Sequence, residues 1–324
     1  MTHPAELSLK GSTNVAAIVP YLLGYHPHDQ LAILALKDSQ VLFAAAAPMP
    51  YSSDPVSDAT DVATRITAHG PDRVVLIGYG PEEAVAAAVD HTIGAFTALG
   101  VTVSASLRVY DDWLWHLRCD DPQCRPGIPF DVSTTAVAAQ ATLLGYVAAE
   151  DVHTYVARLA PVTGDERKGM QAALAAAHRH LDNLAAGASE EQVRTAFRDL
   201  VERLLKEART TYEQHRVLTD STAALLLALL SAPTLQALVL KDVHGEDLDI
   251  RIWTDLTRRA DPGHAAAPAT LLALAALQHG NGHLARLAIE RAQQAEPKDT
   301  LIQQIAEAIR RGIAPDAIRR ALHE

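Results

Sequence analysis

Arg73-Val74-Val75-Leu76-Ile77-Gly78 is a continuous apolar run closed by the turn residues Tyr79-Gly80-Pro81. A strand buried on both faces reads this way, so the segment is expected at the centre of a sheet. Residues 81–99 follow as a long helix, opened by Pro81 and by Glu82 and Glu83, which suit a first turn sterically and electrostatically. Residues 101–109 then alternate as a strand, and residues 113–117 return antiparallel after Tyr110-Asp111-Asp112. Upstream, Leu31-Ala32-Ile33-Leu34-Ala35-Leu36 and Val41-Leu42-Phe43-Ala44-Ala45-Ala46 flank a polar tetrapeptide and read as a β-hairpin, with a helix over 58–69. Ser12-Thr13-Asn14 offers a cap for a first helix that Gly24 stops. Pro20 inside that helix removes a backbone donor and predicts a kink or a restart.

Character changes near residue 132. Beyond it alanine and leucine recur at three- and four-residue spacing with hardly a β-branched run. Successive helices are expected over 134–149, 149–159, 165–186, 190–209, 218–231, 235–241 and 248–259. Gly187-Ala188-Ser189 followed by Glu190-Glu191-Gln192 has the form of a helix stop and a capping box. Residues 266–297 match the spacing of one tetratricopeptide repeat, with Leu272, Ala273 and Ala276 in the first helix, Asn281-Gly282 in the turn, and Ala285, Ile289, Ala292 and Pro297 beyond it. A further helix over 301–309 would cap it. The expected fold is α+β followed by all-α: a mixed sheet of about five strands with helices over 1–132, then a helical domain over 133–324.

Over 324 residues, 48% are hydrophobic and 21% charged, enough apolar side chain for packed cores and too little charge for a disordered chain. A formal charge of −11 argues against phosphate backbones and anionic lipid as partners, so no nucleic acid and no membrane is expected. Arg310-Arg311 and Arg319-Arg320 read as solvated helix faces. The longest apolar run, residues 223–232, is about half the roughly 20 residues a bilayer needs. The first residues carry no basic segment followed by an apolar core, and cysteines number two. The location expected from these features is cytoplasmic.

His116, Cys119 and Cys124 stand within one short segment, and imidazole and thiolate are good zinc ligands. A structural zinc needs four protein ligands, so a redox-sensitive cysteine pair and a plain structural loop stand beside a zinc site. A second cluster, Tyr25, His26, His28 and Asp29, precedes the first strand and is read with Trp115 as a ligand-binding candidate. Trp113 and Trp115 share one face of a strand and are read as packing residues. Gly78-Tyr79-Gly80 lies at a strand-to-helix turn, but the third glycine of a dinucleotide fingerprint is replaced by Glu83. His279 and His283 are separated by a helix-breaking Gly280-Asn281-Gly282, and His178 and His180 point about 200° apart on a helix. No G-x-S-x-G elbow, Walker loop or H-E-x-x-H helix occurs, so no catalytic residue and no cofactor other than zinc is assigned.

Residues Val19-Pro20-Tyr21-Leu22-Leu23-Gly24-Tyr25-His26-Pro27 through Leu36 resemble the opening of the actinobacterial domain-of-unknown-function family 4192. The stretch with Cys119, Asp121-Pro122 and Cys124-Arg125-Pro126 is similar to that family's second recurrent segment, and Leu272 to Leu277 with Ala285 to Pro297 to its helical close. His26 and Gln30 depart from the family's basic and small hydroxyl positions, and Arg125-Pro126-Gly127-Ile128 replaces its further cysteine and Pro-Pro-Glu-Gly run. The resemblance implies the two-part fold and no particular activity, cofactor or substrate. The leading expectation is a binding or scaffold protein that meets a protein partner through its helical domain. The alternative is a small-molecule or metal-binding enzyme with a site formed by residues 25–29 and 115–125.

Overall fold

The computed structural model describes residues 11–38, 40–49, 51–119, 126–143 and 147–311. The chain forms two compact units, Met1–Tyr155 and Val156–Glu324.

In the first unit, β1 (Gln30–Lys37) and β2 (Gln40–Pro48) form the expected hairpin, whose tight end is held by the Asp72 carboxylate accepting from the Asp38 backbone N–H at 3.1 Å. β3 (Arg73–Tyr79) pairs antiparallel with β1 and parallel with β4 (Thr102–Tyr110), to which α3 (Glu82–Ala98) carries the chain. Asp111 and Asp112, both at positive φ (46° and 60°), reverse the chain into β5 (Trp113–Leu117), as a two-residue hairpin turn requires. The order is β2-β1-β3-β4-β5-β6, with the apolar run of β3 at the centre. The sixth strand, β6 (Ile128–Pro129), is two residues long and leaves no periodicity to read.

One face of the sheet is covered by α2 (Pro55–Thr67) and α3, whose Ala63, Ile66, Val85 and Phe96 pack on Leu31, Ile33 and Leu76. Gly78 serves this packing: a Cβ there would stand 2.2 Å from Val85 Cγ1. The glycine therefore brings helix and strand together instead of cradling a phosphate. The other face is met by α1 (Ser12–Leu23), which is unbroken at Pro20. Proline cannot donate to the Ala16 carbonyl, and the buried Tyr79 hydroxyl donates there instead, at 3.2 Å. That substitution of one donor for another keeps the Ala16 carbonyl satisfied where the helix runs through the proline without the restart that was one expectation.

α4 (Ala136–Leu143) packs on α1. Ala149 forms a parallel bridge with Tyr25, receiving the His26 N–H at 2.9 Å and donating to Gly24 O at 2.8 Å. Gly24, left-handed at φ 83°, lies so close to Tyr155 that a Cβ would meet its ring at 2.5 Å. These contacts extend the first compact unit past the last strand to Tyr155, where the sequence division was drawn at 132/133.

Helix α5 (Val152–Ala157) leads to α6 (Gly164–Ala185), α7 (Glu190–Glu213), α8 (Asp220–Leu230), α9 (Pro233–Leu240), α10 (Asp247–Arg259), α11 (Ala266–His279), α12 (Gly282–Ala295) and α13 (Thr300–Arg310). The capping box of α7 is formed: Gln192 N–H donates to Ser189 Oγ at 3.3 Å, and Ser189 N–H to Gln192 Oε1 at 2.8 Å. α11 and α12 make the expected hairpin, with Asn281 capping Leu284 N–H at 3.0 Å. However, every residue of α11 from Ala266 to Leu277 is buried. A helix enclosed on all sides is the centre of its unit and offers no open face to line a repeat-like groove. Arg310 and Arg311 both pair with Glu307, as a solvated helix face would. Among the described residues no single helix is long and apolar enough to cross a membrane.

Candidate functional site

Gln30 pairs with Tyr79, Tyr79 with Val109 and Val109 with Leu114, so the loop before β1 lies at the end of the sheet where β5 begins. Within that loop Tyr25 is a core residue, buried against Tyr155 with ring centroids 5.7 Å apart. His26 is partly buried; burial, then the neighbouring His28, hold its pKa below the ordinary histidine value. His28 and Asp29 are exposed. Asp29 is left-handed (φ 49°), its carbonyl accepts from Met49 N–H at 2.8 Å, and its carboxylate lies over Gly80, 3.2 Å from where a Cβ would sit.

Alternation along β5 sends Trp115 and His116 to opposite faces. Trp115 stacks on Trp113 (centroids 6.3 Å) and beneath the Arg108 guanidinium, 4.0 Å from its ring. Arg108 is itself buried and donates to Glu82 at 3.1 Å. Trp113 is 41% exposed and Trp115 partly buried, so the pair is only partly packed where core or inter-domain packing was expected. His116, on the face met by α1, bonds Ser12 Oγ through Nε2 at 2.9 Å. Cys119 follows the far end of β5 through the left-handed Arg118, whereas the 25–29 loop is level with the beginning of that strand. Cys124 lies outside the described residues. The described members of the two expected clusters therefore do not converge on one point, and β3 and β4 separate the two hairpins. Among the described residues no three His, Cys, Asp or Glu side chains are grouped to hold a metal.

Two cavities among the described residues lie in the helical unit, on the two flanks of α7. α7 ends at Gln214, and His215, left-handed at φ 56°, reverses the chain; Arg216 N–H then bonds Thr211 O at 3.0 Å. Leu218 is buried, and its carbonyl accepts from Arg259 at 2.9 Å. Thr219 caps α8 through Thr222 N–H at 3.2 Å. Between this returning segment and α7 opens a cleft of about 520 Å³, lined by Arg203, Lys206, Glu207, Thr210, Thr211, Arg216, Val217, Leu218 and Thr219. Glu207 is engaged by the Thr222 hydroxyl at 3.2 Å. Arg203, Lys206 and Arg216 have no acidic partner among the described residues.

The other flank holds a cavity of about 490 Å³, lined by Lys206, which it shares with the first cleft, and by Arg209, which is paired with a carboxylate. Arg209 donates to Asp249 at 2.9 Å, and Asp249, 1% exposed, also accepts from His244 N–H at 2.9 Å. Below it a buried network ties α7, α8 and α10 together. Tyr212 donates to Asp255, which also accepts from Arg259 at 3.0 Å, and burial, then this carboxylate, raise the phenol's pKa. The cationic cleft was missed in the sequence because only Arg203, Lys206 and Thr210 share a helical face by spacing. Arg216 and Thr219 join them through a non-glycine left-handed turn that no local pattern announces.

A mixed six-stranded α/β unit followed by a helical unit with a cationic cleft is the class of protein these features define. The chain belongs to the family described as domain of unknown function (DUF4192), which matches residues 13–316, nearly its whole length. No curated protein and no solved structure matches it.

Proposed function

We propose that this is a binding or scaffold protein whose helical unit receives an acidic segment of a partner protein in the cleft between α7 and α8. The observation that supports this reading is the set of three basic side chains, Arg203, Lys206 and Arg216, gathered around one cleft without carboxylate partners among the described residues, in a chain of net charge −11. Cations held in no ion pair among the described residues, three against the single Glu207 carboxylate of the cleft, are a source of orientation and of fast encounter with a complementary surface. Thr210, Thr211 and Thr219 add hydroxyl donors to the same walls, and exposed Val217 adds an apolar contact. The burial of α11 supports reading this cleft, rather than a groove lined by α11, as the interaction surface. A cytoplasmic setting is part of the proposal, since two cysteines in 324 residues suit a reducing compartment.

The test is a fluorescence-anisotropy titration of a labelled Glu- and Asp-rich peptide into the full chain. Saturable binding that weakens about ten-fold or more in the triple variant Arg203→Glu, Lys206→Glu, Arg216→Glu, and falls with added salt, is the expected result. Equal affinity in the two proteins would remove the cleft from the account.

A further inference from the structure

We propose that His178 and His264 form a two-imidazole site for a late first-row divalent cation such as Zn²⁺ or Cu²⁺, oriented by Asp261. His178 stands on α6 and His264 in the turn before α11, 86 residues apart, yet their Nε2 atoms are 3.1 Å from each other. The second nitrogen of His264 is committed: Nδ1 lies 2.6 Å from the Asp261 carboxylate. A carboxylate at Nδ1 keeps the hydrogen there and leaves Nε2 with its lone pair outward, the arrangement found behind metal-binding histidines.

The rings meet nearly head-on, with centroids 5.2 Å apart, and with the His264 hydrogen kept at Nδ1 by Asp261 the contact is a His178 Nε2–H donating to His264 Nε2. A cation takes that hydrogen's place when His178 moves its hydrogen to Nδ1, a tautomer change that leaves both rings neutral and releases no proton. With metal–nitrogen bonds of about 2.05 Å, the observed spacing corresponds to an N–metal–N angle of about 98°, between octahedral and tetrahedral values. The rings need only tilt, not separate.

Both ligands stand on fixed backbone. Ala177 and Leu181 beside His178 are buried, as are Ala265 and Ala266 after His264, and His264 N–H bonds Asp261 O at 3.0 Å within the turn. The His178 side is exposed, so water completes the coordination and the site stays open to a further ligand. Imidazole nitrogens select Zn²⁺, Cu²⁺ or Ni²⁺ over Mg²⁺ or Ca²⁺. Bound metal would staple α6 to the α10–α11 turn. His180, two residues along α6, has no part in the pair.

The experiment is calorimetric titration of the full chain with Zn²⁺, paired with Cu²⁺ electron paramagnetic resonance. One cation bound at a two-nitrogen equatorial site is expected, weakened about ten-fold or more by His178→Ala or His264→Ala, less by Asp261→Asn, and unchanged by His180→Ala. Long-range ¹H–¹⁵N spectra of the wild-type imidazoles provide a readout that needs no variant: Zn²⁺ should move Nε2 of His178 and His264 together. Absence of uptake, affinity retained in the double His178→Ala, His264→Ala variant, or shifts confined to other histidines would each overturn the site.

Discussion

Pro20 and Tyr79 show how one residue's defect is met by another's side chain. The Ala16 carbonyl loses its helical donor to Pro20 and gains the Tyr79 hydroxyl, inside a buried face. Burial raises the pKa of that phenol, so it remains a donor across the physiological range. Tyr79→Phe strands the carbonyl and should cost about 1–3 kcal/mol in urea unfolding. Adding Pro20→Ala returns a backbone N–H to the same carbonyl, so the double variant should regain most of that loss; strictly additive effects would contradict the pairing. The proline was legible in the sequence, and its consequence was not. The compensating hydroxyl comes from a strand 63 residues away, a partner that only the tertiary fold supplies.

At the scale of elements, what could be read locally was read from periodicity and capping. The β1–β2 hairpin, the central β3, α3 and the Ser189–Gln192 box on α7 all follow from residues close in sequence. The short β6, the burial of α11 on every side and the basic cleft depend on long-range packing and were not legible. Trp113 and Trp115 mark the boundary of such reasoning: alternation placed them on one face, but whether a helix covers that face is not a local property. The α11–α12 hairpin has a pH dependence of its own. Burial, then the nearby Arg286, lower the His283 pKa to about 4, and the ring lies in the first turn of α12, where the helix dipole also opposes a positive charge. The unfolded chain takes up this proton near pH 6.5 and the folded chain only near 4, so stability is complete above pH 6.5 and declines as pH falls between these values. At pH 5 the loss amounts to about 2 kcal/mol. His283→Gln should flatten the slope of unfolding free energy between pH 6.5 and 4 relative to wild type; an unchanged slope would show that the ring is protonated in the folded state.

For the whole molecule, the two compact units divide the work by secondary structure: paired strands occur only in the first, and the second is helical among its described residues. The sequence change near residue 132 follows the last strand, whereas the first unit closes at Tyr155 because Gly24 and Tyr25 hold the segment that follows α4. The proposed partner would have two surfaces to choose between, the stacked Trp113–Trp115 face with Arg108 in the first unit and the cationic cleft of the second. Tryptophan and arginine are typical interface anchors, so the aromatic face is the natural rival. Arg108, however, already has Glu82 as a partner, while Arg203, Lys206 and Arg216 have no acid among the described residues. The most direct measurement places a photo-crosslinking amino acid at Val217 or at Trp113 of the full chain in its native cells and identifies adducts by mass spectrometry. The account predicts a discrete protein adduct at Val217, lost with the Arg203→Glu, Lys206→Glu, Arg216→Glu variant, and joined through an acidic segment of the partner. Adducts at Trp113 alone, or a Val217 adduct indifferent to the three charges, would contradict it.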